Sequence, residues 1–271
     1  MSTSFSIAPV LFIPHGGGPM PLLGEPSHEA LVKFLRAVPN TFAKPDAIVL
    51  ISAHWEEQVT TITSAANPSL IYDYVGFPPE SYQLSYPAPG HPALASQLQT
   101  LLKEANIDAN LSSSRGFDHG MFVPLMLMYP KGDIPVVQLS LLKNFDPAQH
   151  IAVGKALRSL REQNVLILGS GFSFHNMHAF FRPNPNDIGN QQFEAWLIDT
   201  CTAASEDAEF SHDAAEQALI NWKQAPYAKY CHPREEHLLP LHICFGAGNG
   251  KAKKVFEDYV LNKKTHALLW D

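Results

Sequence analysis

Ala47-Ile48-Val49-Leu50-Ile51 is an unbroken apolar run with three β-branched members, followed at once by Ser52-Ala53-His54-Trp55. A strand with one face in water alternates apolar and polar residues. A strand covered on both faces does not, so this run fits a largely parallel sheet with helices on each side. Two other runs share its character. Val10-Leu11-Phe12-Ile13 stops at Pro14-His15-Gly16-Gly17-Gly18, and Val165-Leu166-Ile167-Leu168 leads into Gly169-Ser170-Gly171-Phe172-Ser173-Phe174-His175. Residues 134–141 supply a fourth strand candidate.

Helical patterns fall between these runs. Leu31, Phe34, Leu35 and Val38 recur at helical spacing before Pro39, and Leu94, Leu98, Leu101 and Leu102 do so after Pro92. Asp146, Pro147 and Gln149 form a good helix start for Ile151, Val153, Leu157 and Leu160. Residues 193–197 and 219–222 read as further helices. His232-Pro233-Arg234-Glu235-Glu236-His237 reads as the opening of another, with proline early and two acids in the first turn. Strands alternating with helices define the α/β class, expected here as a three-layer αβα sandwich around a mostly parallel or mixed central sheet. No composition break divides the chain, so residues 1–271 are expected to form one domain.

The 271 residues are 45% hydrophobic and 17% charged, enough to bury a large core. A net charge of −7 with scattered basic residues argues against a nucleic-acid surface. Cys201, Cys231 and Cys244 show no CxxC spacing and cannot all pair internally, which fits a reducing compartment. No apolar run is long enough to span a bilayer and no secretory leader is visible, so the expected location is the cytoplasm. Residues 67–92 are rich in proline and aromatics, among them Tyr72, Tyr74, Phe77, Tyr82 and Tyr86. A long irregular stretch of this kind suits a loop that covers a site.

Thirteen histidines are many for this length, and imidazole is both the commonest transition-metal ligand and the usual proton carrier near neutral pH. Three strand candidates each deliver one just beyond the apolar run: His15, His54 and, after a short loop, His175. Ligands of open α/β sheets bind outside the carboxyl ends of the strands, where residues distant in sequence converge. His119, in Gly116-Phe117-Asp118-His119-Gly120, and His237 are the other candidates, with Asp118 available to orient His119 or cap the turn. Each has a plainer reading as a loop or packed histidine, and spacing leaves open whether His232 or His237 faces inward. His178 reads as a surface residue. His28, His91, His150, His212 and His266 read as surface or capping residues. Gly16-Gly17-Gly18 lacks the Lys-Ser/Thr of a phosphate loop, and Gly169-Ser170-Gly171 does not complete a G-x-S-x-G nucleophile elbow.

His15-Gly16-Gly17-Gly18-Pro19-Met20, Ser52-Ala53-His54-Trp55, Gly76-Phe77-Pro78, Tyr86-Pro87-Ala88-Pro89-Gly90, Gly116-Phe117-Asp118-His119-Gly120, His175-Asn176 and Glu236-His237-Leu238-Leu239-Pro240-Leu241 occur in an order that resembles one known family. It is that of the class III extradiol ring-cleaving dioxygenases of the LigB-like superfamily. The resemblance is strongest to the DODA-type branch of DOPA 4,5-dioxygenases and YgiD-like proteins. It implies His15, His54 and His237 as metal ligands. His175 would be the catalytic histidine and an optional fourth ligand, and His119 a second active-site histidine that contacts substrate. The implied reaction opens the aromatic ring of a catechol, L-DOPA being one example, with O2 to a muconic semialdehyde. Fe(II) is the metal expected for activity, and Zn(II) can take its place. Two features depart from the family pattern: glycine replaces the serine of an HGSPM-like motif, and three imidazoles replace the two-histidine, one-carboxylate set of many oxygen-activating sites. The competing functions are a zinc-dependent hydrolase on the same histidines and a non-catalytic metal-binding protein. Partners beyond the small substrate and O2 are not expected, save that the chain is a monomer or small homo-oligomer.

Overall fold

All four apolar runs lie side by side and parallel, because each is covered by helices on both faces. The structure, a computed structural model, describes residues 7–182, 184, 186–202, 211–248 and 250–271. The strands among them are β1 (Val10–Pro14), β2 (Ala47–Glu57), β3 (Thr60–Thr63), β4 (Ala109–Ser112), β5 (Val136–Leu142), β6 (Val165–Gly171), β7 (Lys253–Val260) and β8 (Lys263–Trp270). They form one sheet in the order β4-β3-β5-β2-β6-β1-β8-β7. Its centre, β5-β2-β6-β1, is parallel throughout, while β3 runs antiparallel to β5 and β8 antiparallel to β1. The sheet is therefore mixed and the fold is α/β.

The helices are α1 (Glu29–Ala37), α2 (Pro92–Glu104), α3 (His119–Met128), α4 (Pro147–Leu157), α5 (Met177–Phe180), α6 (Ile188–Thr202), α7 (His212–Ile220), α8 (Ala228–Cys231) and α9 (Leu239–Ala247). Successive residues of β6 show the layering. A Cβ on Gly169 would meet Cys244 and Pro240 of α9, whereas the next residue, Ser170, donates its hydroxyl proton to the Gly120 carbonyl of α3. Alternate side chains of a strand point to opposite faces, so α3 and α9 sandwich the sheet. Apart from His119 and His242, α3 and α9 carry no polar side chain and are buried along most of their lengths, and residues 10–13, 48–51 and 166–168 are fully buried between them. No helix among the described residues is long and apolar enough to cross a membrane. The three cysteines are free and buried.

Several sequence expectations need correction. Residues 232–238 are turns, and the helix begins only at Leu239. The Glu235 carbonyl closes one turn around His237, accepting from Leu238 N–H at 2.9 Å and Leu239 N–H at 3.2 Å, but the His237 carbonyl is taken by the Phe172 N–H at 2.9 Å and Leu241 N–H bonds Leu238, so that turn does not continue into α9. The strand carrying His54 does not stop before it; β2 runs to Glu57 with an irregular register between Ile51 and Glu56, a bulge that re-aims the intervening side chains. The helix expected over 219–222 ends at Ile220, with Trp222 in a following tight turn. His28, His150 and His266 are buried rather than superficial. His91 caps α2 by accepting from Leu94 N–H at 3.2 Å, as expected, and His178 is exposed. Helix α3, which opens at His119, and strands β3, β4, β7 and β8 carry no clear sequence signal. The edge strands are short or strongly charged, and the apolar residues of α3 show no single stripe.

Candidate metal centre

The carboxyl ends of β1, β2 and β6 share one edge because the three strands are parallel, and the chemistry collects there. His15 directly follows β1, His54 sits in the bulge of β2, and His175 follows β6 by four residues. His119 opens α3. His237 arrives through a close backbone approach: a Cβ on Gly171 would lie 2.3 Å from the His237 carbonyl oxygen, so only glycine admits the 232–238 turn.

The ring centroids of His15, His54 and His237 are nearly equidistant, at 4.9 Å (15 to 54), 5.2 Å (15 to 237) and 4.9 Å (54 to 237). Imidazoles radiating from one divalent ion through nitrogens about 2.0–2.1 Å away have centroids roughly 4.5–5.2 Å apart at octahedral or tetrahedral angles. His15 Nε2 and His54 Nε2 are 3.0 Å apart. Two nitrogens at right angles on one ion would be about 3.0 Å apart as well. His119 lies close, with its ring 3.9 Å from that of His54 and 5.5 Å from that of His15. His175 stacks on His237 at 3.4 Å with the ring planes only 12° apart. Parallel rings that close cannot both point a nitrogen lone pair at the same ion.

Hydrogen bonds behind the rings decide which nitrogens are free. Ser170 donates to the Gly120 carbonyl, so its oxygen accepts from His15 Nδ1–H at 3.1 Å, leaving the His15 Nε2 lone pair facing the cluster. His237 Nδ1–H donates to Glu236 Oε1 at 3.0 Å, and His175 Nδ1 is 3.3 Å from the same oxygen. His119 donates both its backbone N–H (3.0 Å) and Nδ1–H (2.8 Å) to Asp73 Oδ1. The other Asp73 oxygen stands 3.8 Å from His54 Nδ1, an ion-pair distance beyond a hydrogen bond. Glu236 thus serves two imidazoles, and Asp73 hydrogen-bonds one, His119. Partners of this kind fix the tautomer and raise the basicity of metal-binding histidines. His54 is held through its backbone too, its N–H donating to Ser52 Oγ at 3.1 Å, while Ser52 donates to buried Asp118 at 2.6 Å.

Burial, reinforced by the neighbouring imidazoles, holds His15 and His237 well below the usual histidine range. Burial and His119 do the same for His54, against the opposing pull of Asp73 and Glu236. Burial alone would raise Asp73, but its bond to His119 and the nearby imidazoles bring it down to about 2. Glu236 is likewise lowered, its burial outweighed by His175 and Arg234. Neutral imidazoles beside ionised carboxylates are the donor set a divalent cation requires, and the residues fit one. Closely spaced donor atoms form two sets, His15 with His54 and His119, and His175 with Glu236 and His237.

Above the rings opens a cavity of about 230 Å³ walled by Met20, Tyr74, Phe77, Phe172, Phe180 and Leu261 among others. Tyr74 and Phe77 come from the aromatic stretch expected to cover the site; Tyr82 instead braces them, with its ring 5.3 Å from that of Tyr74. Sequence reasoning assigned no role to Asp73 or Ser170 and read Glu236 only as a first-turn acid and as part of a motif. Glu236 had one signal, adjacency to His237; Asp73 had none. Asp118 neither orients the His119 ring nor caps the turn with its side chain. It lies beneath, accepting from Ser52, Arg115 and Gln138.

By fold and donor set this is an α/β protein that offers a divalent ion neutral imidazoles on the floor of an apolar pocket. The family described as the catalytic LigB subunit of aromatic ring-opening dioxygenase matches residues 9–268. The chain is 39% identical to Dioxygenase tasH of Hapsidospora irregularis, over 99% of this chain and 87% of that one. It is 36% identical to a 4,5-DOPA dioxygenase extradiol of Beta vulgaris, over 96% and 94% of the two chains. The crystal structure of an uncharacterized protein of Escherichia coli K12 superposes with a TM-score of 0.76 at 28% identity, covering 97% of this chain and 100% of that one. The chain belongs to the LigB family and is an extradiol ring-cleaving dioxygenase, a metal-dependent enzyme with a small-molecule substrate and O2.

Proposed function

We propose that this enzyme opens the ring of a catechol beside its diol, both atoms of O2 entering a muconic semialdehyde, with His15, His54 and His237 holding the metal. The observation that carries this reading is the near-equal spacing of those three rings beneath a cavity large enough for one aromatic ring. An apolar cavity of about 150 Å³ already accepts benzene. Fe(II) in that position would acidify the catechol hydroxyls and hold dioxygen within reach of the ring, whereas Zn(II) would supply only the first effect.

The protein's own groups do the rest. His175 takes a catechol proton at Nε2 and later returns it to the oxygen that must leave, while Glu236 balances the imidazolium at Nδ1. Stacked on His237, it sits beside the ligand set; a role as fourth ligand would require its ring to swing away. His119 receives the second hydroxyl at Nε2 and is backed by Asp73. The apolar wall excludes water, which would otherwise compete for the reactive positions. One catalytic domain spans the chain in this reading, working in the cytoplasm, which the free cysteines favour.

The test is anaerobic reconstitution with Fe(II), then oxygen-electrode assays over a panel of catechols. Uptake with a yellow ring-opened product, abolished in His175→Ala and His237→Ala, is expected. Iron-loaded protein that consumes no oxygen with any catechol would overturn the reading, and ester or amide hydrolysis by the Zn(II) form would put a hydrolase in its place.

A further inference from the structure

We propose that the physiological catechol is uncharged and carries an apolar substituent, seated against Met20, Phe77, Met177, Phe181 and Leu261. The inference rests on the ring-cleaving reading and specifies its substrate class. The first observation is chemical. Among the described residues lining the cavity there is no lysine, arginine, aspartate or glutamate, and no serine, threonine, asparagine or glutamine. Its polar side chains are the five imidazoles on the floor and Tyr74, whose hydroxyl donates to the Ser81 carbonyl at 2.5 Å. The diol needs the imidazoles, so no side chain remains to pair with a second charged group.

Charged residues close to the site are engaged elsewhere. Asp73 is bound to His119, Glu236 faces His175 and His237, Arg115 bonds Asp118, and Arg234 forms a two-point pair with Glu56 at 2.7 and 2.6 Å. Arg182 follows Phe181 in sequence but does not line the cavity. An amino-acid side chain entering this pocket would shed water from an ammonium and a carboxylate without gaining a partner, a costly exchange.

The second observation is the rim. Phe181 is 73% exposed and Met177 53% exposed, although both line the cavity. Large apolar side chains left in water beside a pocket mark the surface a ligand covers. Leu261 adds a third, independent feature. It occupies the β7–β8 turn with φ 52°, followed by Asn262 at φ 63°, a pair of left-handed positions that hairpins normally fill with Asn, Asp or Gly. A leucine there is strained, and the strain places its side chain against Gly17 on the cavity wall.

The test compares 4-methyl-, 4-ethyl-, 4-propyl- and 4-butylcatechol with L-DOPA and 3,4-dihydroxyphenylpropionate. One arm measures kcat/KM on the Fe(II) enzyme, the other anaerobic binding to the Zn(II)-loaded protein. Each methylene is expected to raise both quantities about threefold to fourfold until the rim is covered, leaving L-DOPA at least tenfold below 4-propylcatechol. Phe181→Lys should reverse the order, weakening the alkylcatechols and favouring the carboxylated compounds. A flat alkyl series, or L-DOPA equal to or above 4-propylcatechol in binding and turnover, would overturn the proposal. Absence of oxygen uptake with every catechol, while binding still rises along the alkyl series, would defeat the dioxygenase reading and sustain the apolar seat.

Discussion

His28 offers a quantitative test of how the pocket wall is held. Its ring is fully buried; Nε2 accepts the Gly17 N–H at 3.0 Å and Nδ1 meets Ser27 Oγ at 3.0 Å. Burial lowers its pKa from 6.5 to about 4. The unfolded chain therefore binds a proton near pH 6.5 that the folded chain refuses until about pH 4. Stability is complete above pH 6.5 and falls as the pH drops through the window between those values. At 1.36 kcal/mol per pH unit, acidification from pH 7.5 to 5.0 removes about 2 kcal/mol through this residue alone. His28→Gln keeps an acceptor for Gly17 and cannot titrate. It should cost about 1 kcal/mol at pH 7.5 through the lost Ser27 contact, yet lose about 2 kcal/mol less than wild type on going to pH 5.0. With a urea m-value of about 3 kcal/mol/M, the acid-induced drop in midpoint should shrink by roughly 0.6 M. Metal-free protein in chelator is the sample, so that proton–metal competition does not enter, and the double difference cancels every titration the two proteins share. Equal midpoint shifts in variant and wild type would refute the reasoning.

Glu236→Gln removes the negative charge behind His237 and His175. Metal affinity should fall 10–100-fold in a chelator-competition titration, and wild-type affinity would detach Glu236 from the centre. Asp73→Asn touches mainly His119, so kcat should fall at least tenfold while metal content stays near wild type; parallel loss of both would place His119 among the ligands. Gly171→Ala forces a Cβ to within 2.3 Å of the His237 carbonyl. Overpacking of that kind should cost about 1–3 kcal/mol in thermal unfolding and weaken metal retention; a neutral result would show that the 232–238 turn is free to move.

The centre of the fold was legible because β1, β2, β5 and β6 are buried on both faces and their apolar runs are uninterrupted. Strands β3 and β4 have four residues each, and β7 exposes Lys253, Lys254, Glu257 and Asp258, so neither length nor alternation marked them. The apolar pattern of α3 has no periodic stripe because helix and sheet bury nearly all of it. Strand-end position singled out His15, His54 and His175 as candidates, but choosing between His232 and His237 required a motif. The structure shows why spacing failed: both rings are buried, but His232 Nε2 bonds the Ser173 carbonyl at 2.6 Å, away from the cluster. Buried His28, His150 and His266 escaped for a related reason. A histidine satisfied by backbone or by a carboxylate leaves the same trace in sequence as one in water.

Three imidazoles converging at one sheet edge would be self-defeating as metal donors if they carried charge, and the fold prevents it by separating two tasks. Burial and mutual repulsion keep His15, His54 and His237 neutral, so the cluster presents lone pairs where protons would otherwise gather. The compensating negative charge is placed behind the rings, on Asp73 and Glu236, where it attracts a cation without occupying the cavity. A carboxylate among the ligands themselves would neutralise the ion directly. In the proposed ligand set the charge acts through imidazole Nδ1 protons, so no carboxylate lines the pocket floor. That arrangement leaves the cavity apolar down to the metal-facing nitrogens, which is why a neutral aromatic guest suits it better than a charged one.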